Sequence, residues 1–86
     1  MSLADDFADA QVRVKTLNKT PSNQDLLELY SLFKQGSVGD VQGKRPGMMD
    51  FKGRAKYDAW AGKKGLSADD AMTQYVALVE RLLASQ

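Results

Sequence analysis

Tyr30, Phe33 and Lys34 stand at positions i, i+3 and i+4, so on a helix they share one side. An aromatic ring beside an ammonium can stack a base while the charge meets a phosphate. The first contact is worth roughly 1–3 kcal/mol and the second about 1.5–3 kcal/mol. Lys52 and Lys56 repeat the i, i+4 spacing further along. Two such charges repel by roughly a few tenths of a kcal/mol, and they attract a bridging anion. Each group also has a plainer explanation. Tyr30 and Phe33 fit core positions with Lys34 reaching solvent along its alkyl stem, and Lys52 and Lys56 fit a solvated basic face that Asp50 and Asp58 could neutralise. Spacing alone favours the plainer explanations. Tyr75 falls in an apolar stripe, where a buried ring still needs a partner for its hydroxyl, either a protein group or a ligand oxygen. Trp60, Met48 and Met49 read as packing residues, and Asp69 and Asp70 as residues that begin a helix.

Much chemistry is absent. With no cysteine and no histidine in 86 residues, there is no disulfide, no Cys/His zinc site and no His-activated nucleophile. Carboxylate-only metal sites and lysine chemistry have no spacing to support them, so an enzyme is not expected and no metal or cofactor is assigned. The glycines Gly36, Gly39, Gly43 and Gly47 match neither GxxxxGK[ST] nor GxGxxG. Formal net charge is +1, but from Lys34 to Lys64 eight basic residues face three acids. A locally positive middle on a near-neutral chain suits a compact anionic ligand better than an extended nucleic acid.

The elements that must hold these residues are helical. Leu3, Phe7, Ala10, Val14 and Leu17 mark one helix face, with Ser2 and Asp5 at its start. Pro21 fits an early helical position after a break, with Thr20 or Ser22 as cap. A second helix is predicted from about Ser22 to Gln35. Its apolar residues Leu26, Leu27, Leu29, Tyr30, Leu32 and Phe33 run nearly all round, so it should be the most buried. A third helix covers roughly Phe51 to Gly62. A fourth starts at Ser67 and carries Met72, Tyr75, Val76, Val79, Leu82 and Leu83 at helical spacing. Short joins make helices one and two, and three and four, antiparallel. The connector Gly36–Met49 could reach roughly 45 Å when extended, so helix three can run parallel to helix two. The fold expected is an all-α, up-down-down-up four-helix bundle forming a single domain over residues 1–86, with an up-down-up-down bundle also compatible with the lengths. Met1 to Asp6 is acidic and lacks an apolar core segment, so no signal peptide is read. No window approaches the roughly 20 apolar residues of a membrane span. A soluble, intracellular protein is expected.

The runs YSLFKQGSVGD (Tyr30 to Asp40), RPGMMDFKGRAKYDAW (Arg45 to Trp60) and SADDAM-TQY ending at Tyr75 closely resemble the acyl-CoA-binding protein family, and the likeness extends over nearly the whole chain. That resemblance implies a four-helix bundle binding medium- to long-chain fatty acyl-CoA esters without catalysis, as a carrier and pool former. It implies that Tyr30, Lys34 and Lys56 hold the ribose 3′-phosphate of coenzyme A and that Phe33 stacks on adenine. Lys15, Lys52 and Tyr75 match further ligand contacts, and Leu26 and Leu27 match positions covering the acyl chain. Two residues depart from the family pattern: Phe33 stands for a usual tyrosine, and Tyr57 for a usual tryptophan beside Trp60. The expected protein is a cytoplasmic monomer whose partners are fatty acyl-CoA esters, with at most transient contacts to membranes or acyl-CoA-using enzymes and none to nucleic acid. The alternative is a helical protein-interaction module that docks an acidic partner on its basic middle.

Overall fold

The computed structural model describes residues 2–86; Met1, which opens the acidic N-terminal stretch, lies outside them. Four helices account for the regular structure: α1 (Leu3–Arg13), α2 (Asn23–Ser37), α3 (Phe51–Ala61) and α4 (Ala68–Ala84). A single 3₁₀ turn, Val14–Thr16, extends α1. Each α-helix begins at a side chain that accepts a backbone N–H three residues on. Ser2 accepts from Asp5, Ser22 from Asp25, Asp50 from Gly53 and Ser67 from Asp70, at 2.9–3.1 Å. Such a cap contributes about 1 kcal/mol. Ser22 is therefore the cap of α2, and Pro21 sits outside the helix rather than in its first turn.

Contacts along the helices fix their directions. Phe7 meets Gly36 and Tyr75, Arg13 approaches Glu80, and the Asn18 N–H donates to Gln86 Oε1, so α1 and α4 run parallel. Gly36 lies against Met72 while Asp25 pairs with Arg81, so α2 and α4 run antiparallel. Tyr30 meets Lys56 and Lys34 meets Trp60, so α2 and α3 run parallel. The order is up-down-down-up, the all-α bundle anticipated above.

The core is formed by Phe7, Ala10, Leu29, Leu32, Ala71, Tyr75, Leu78, Val79 and Leu82, from α1, α2 and α4. Val14 and Leu17 still pack against it from beyond the end of α1. α2 is the most buried helix, as expected, with Leu29, Ser31, Leu32, Gln35 and Gly36 buried, but its burial does not run all round. Leu26 is 41% exposed, and Leu27, Tyr30 and Phe33 are only half-buried. α2 packs against both α4 and α3 and leaves part of its apolar circumference open toward the end of α1 and along its edge with α3.

Parallel α2 and α3 require the connector Val38–Asp50 to travel back along the bundle, and it is pinned at several points. The Trp60 indole N–H donates to the Gly39 carbonyl at 2.7 Å, and the Tyr57 hydroxyl donates to the Gly43 carbonyl at 3.1 Å. Arg45 grips Asp58 through two hydrogen bonds of 2.6 and 2.9 Å. The Asp40 carboxylate accepts from Gln35 Nε2 and from the Gly65 N–H. Gly39 and Gly65 have φ of +101° and +91°, a region that glycine enters without the Cβ penalty. Met48 and Met49, read from the sequence as packing residues, are 77% and 89% exposed at the tip of a turn.

Candidate functional site

Two depressions meet along the open side of α2. One, of about 460 Å³, lies between α1, the segment Leu17–Pro21 and α2, with Lys15, Tyr30, Phe33 and Tyr75 among its lining residues. The other, of about 510 Å³, lies between α2 and α3 and is lined by Asn23, Leu26, Leu27, Phe51, Lys52, Ala55 and Lys56. Leu26 borders both. The result is one groove with an aromatic arm and an apolar arm. From Leu26 to Phe33 it follows α2 for about 10 Å at roughly 1.5 Å per residue.

The aromatic arm rests on a cluster of rings. Phe7 meets Tyr75 edge-on at 5.1 Å between centroids and Phe33 at 6.2 Å. These contacts hold Phe33 and Tyr75 in place from below. Tyr75 is 5% exposed, and burial raises its phenol pKa above the usual value. At neutral pH it is therefore an uncharged donor facing the groove.

The lysines are held in an unusual way. Lys56 Nζ lies 5.5 Å from the centroid of the Tyr30 ring, and Lys34 Nζ lies 4.8 Å from that of Trp60. Cation–π contacts of this kind contribute about 0.5–1 kcal/mol at exposed sites. They orient the ammonium without neutralising it. Among the described residues, Arg13, Arg45, Lys63 and Arg81 pair with carboxylates; of the other basic residues, Lys44, Arg54 and Lys64 are not assigned to the groove, and the rest are Lys15, Lys19, Lys34, Lys52 and Lys56. Those five lie along or beside the groove. Their charge is left available to an outside anion.

Six of the seven polar and aromatic residues picked out from the sequence, Lys15, Tyr30, Phe33, Lys52, Lys56 and Tyr75, line one arm or the other. Leu26 and Leu27 line the apolar arm. Lys34 lines neither and instead turns toward Trp60 at the groove's far end. Lys19, Leu29 and Phe51 also line the groove but were not read as site residues. Phe51 carried a usable signal, since it precedes Lys52 at the start of a helix; Lys19 stood in what looked like a plain break between helices. Tyr57 faces the connector through its bond to Gly43, so its departure from the family's tryptophan bears on the connector.

Among the described residues no group of three or more His, Cys, Asp or Glu side chains is placed to hold a metal. The acyl-CoA-binding protein family model matches residues 4–79. The chain belongs to that family. It is 60% identical over 78 residues to acyl-CoA-binding protein homolog 1 of Caenorhabditis elegans, covering 91% of each chain. It is 48% identical over 86 residues to an acyl-CoA-binding protein of Brassica napus, covering 100% of this chain and 94% of that one. The crystal structure of Oryza sativa acyl-CoA-binding protein 2 superposes with a TM-score of 0.93 at 42% identity, covering 96% of this chain and 90% of that one.

Proposed function

We propose that residues 1–86 act as one non-catalytic unit that binds, transports and pools medium- to long-chain fatty acyl-CoA esters. The observation that carries this is the pairing, on one side of α2, of carboxylate-free lysines and clustered aromatics with an adjoining leucine-lined trough. A ligand that satisfies both arms needs an anionic aromatic head and an apolar tail, and acyl-CoA has both.

Tyr30, Lys34 and Lys56 are assigned to the ribose 3′-phosphate, with Lys34 swinging from the Trp60 face. Phe33 is assigned to adenine stacking. Its missing hydroxyl costs at most about 0.5–1.5 kcal/mol. Lys15, Lys52 and the neutral Tyr75 phenol are assigned to further polar contacts, and Leu26 and Leu27 to the acyl chain. The proposed form is a cytoplasmic monomer making only transient contacts with membranes and acyl-CoA-using enzymes. In its favour, no helix among the described residues is long and apolar enough to cross a membrane.

Titrating palmitoyl-CoA into the protein, by calorimetry and by amide chemical shifts, tests the assignment. Saturable heat with shifts centred on Tyr30 and Lys56 is expected. Neither heat nor shifts there would require the assignment to be abandoned.

A further inference from the structure

Gly47 to Asp50 form a tight turn closed by the Asp50 N–H donating to the Gly47 carbonyl at 3.0 Å. Met48 and Met49 occupy its two central positions, 77% and 89% exposed, and Phe51 follows at 75% as the first residue of α3. Turn tips ordinarily hold Gly, Asn, Asp, Ser or Pro, whose backbone preferences or short polar side chains suit them. One exposed apolar residue needs no explanation, but three within four positions form a patch that points to an outside partner. None of the three belongs to the core cluster, so their burial does not stabilise this fold.

Basic residues outnumber acids around this knuckle. Lys44 and Lys52 flank it, and neither has a carboxylate within salt-bridge distance among the described residues. Of the nearby acids, Asp50 lies within the knuckle and keeps its charge while it caps α3 through the Gly53 N–H, and Asp58 is paired with Arg45. Phe51 and Lys52 also line the apolar arm, so the knuckle stands at the edge of the groove.

We propose that the Met48–Met49–Phe51 knuckle is a membrane-docking element. Its apolar tip enters the headgroup–acyl boundary of an anionic bilayer while Lys44 and Lys52 meet the lipid headgroups. A convex tip suits a bilayer, which needs no complementary pocket, and flexible methionines adapt to an irregular surface. Docking there sets the apolar arm against the source of long acyl chains. That last consequence rests on the acyl-CoA assignment; the docking itself does not.

Flotation of the ligand-free protein with phosphatidylcholine–phosphatidylserine liposomes tests it. The wild type is expected to float, and Met48→Ser/Met49→Ser to partition about tenfold less. Lys44→Glu should lower partition about fivefold or more. Raising salt from about 0.1 to about 1 M, which shortens the screening length from about 10 to about 3 Å, should release the protein. Because both methionines lie outside the core, the double variant should keep the wild-type helicity and melting temperature. Absence of wild-type flotation, or equal flotation of the methionine variant, overturns the proposal. A concentration-dependent dimer in liposome-free sedimentation, lost in that variant, would assign the knuckle to a second copy and overturn it too. A palmitoyl-CoA titration without liposomes separates the two claims. Ligand binding without flotation sinks the docking alone, whereas flotation without ligand binding sinks the carrier assignment and leaves the docking standing.

Discussion

Lys34 and Lys56 each rest against an aromatic face instead of a carboxylate, at 4.8 Å and 5.5 Å. An arriving phosphate therefore competes only with a weak, partly exposed cation–π contact. Lys34→Ala and Lys56→Ala should each weaken palmitoyl-CoA binding by about 1.5–3 kcal/mol, the range of a hydrogen bond to a charged group, with helicity kept. Calorimetry decides this, and an unchanged affinity removes that lysine from the site. Asp40 works on the scaffold instead. Hydrogen bonds from the Gly65 N–H and Gln35 hold its carboxyl below the usual carboxylate range. Its folded-state pKa is below the unfolded value, so its contribution is complete above about pH 4 and is lost as pH falls through the depressed value. Asp40→Asn should melt lower than wild type at pH 7, and the gap should narrow as pH falls below the ordinary aspartate pKa of about 3.9; a constant gap across melts from neutral to strongly acidic pH would contradict this. At this scale the sequence shows residue types but not where each one faces. Tyr30 and Phe33 were recognisable as stacking candidates because helical spacing is local. That Lys34 turns to Trp60, and that Met48 and Met49 face solvent, depends on chain segments far away or on turn geometry that spacing does not encode.

Among the elements, α2 bears the most constraint, since it packs against α4, faces α3 and leaves the groove open toward α1. Gly36, near its end, shows how tight the closed side is. A Cβ built there would stand 3.2 Å from both Phe7 Cζ and Met72 Cγ. In an ordinary helix interior, Gly→Ala stabilises by about 0.5–1 kcal/mol. Here the new methyl must displace Phe7, whose ring also supports Phe33 and Tyr75, and overpacking of that kind costs about 1–3 kcal/mol. Gly36→Ala should therefore destabilise the fold by about 1 kcal/mol net, read as a lower urea midpoint; a raised midpoint would show that the three helices have slack. The four helices were legible because apolar periodicity and Ser caps are local signals. Their ends were less so. Val14 and Leu17 continue the α1 stripe, but the chain has already tightened into a 3₁₀ turn. Pro21 looked like a first-turn residue, and Ser22 took the cap. The connector was readable only as a length. Its pins, Trp60 to Gly39, Tyr57 to Gly43 and Arg45 to Asp58, join residues 13 or more apart, which no periodicity reveals.

For the molecule as a whole, the up-down-down-up order matters because it lays α3 alongside α2 in parallel. Leu26 and Leu27 then face Phe51 and Ala55 at one end of the groove, while Phe33 and Lys34 lie at the other. A head-and-tail ligand is thus read along a single helix, and its affinity must be split between the two arms. Each methylene that reaches the apolar arm contributes at most about 0.8 kcal/mol, reduced by the cost of ordering a flexible chain. Affinity should therefore rise stepwise from free coenzyme A through octanoyl- and dodecanoyl- to palmitoyl-CoA. Free palmitate, which lacks the anionic aromatic head, should hardly bind. The same ordering should appear in stability, because a ligand that binds only the folded state stabilises it by RT ln(1 + [L]/Kd), about 2.7 kcal/mol at a hundredfold excess over Kd. For a domain of this size that is a melting shift on the order of 10 °C. Thermal melts with each member of the series at one fixed concentration make the comparison directly. Equal shifts from coenzyme A and palmitoyl-CoA would mean that the trough between α2 and α3 holds no tail, and a large shift from palmitate alone would mean that the lysines do not select the ligand.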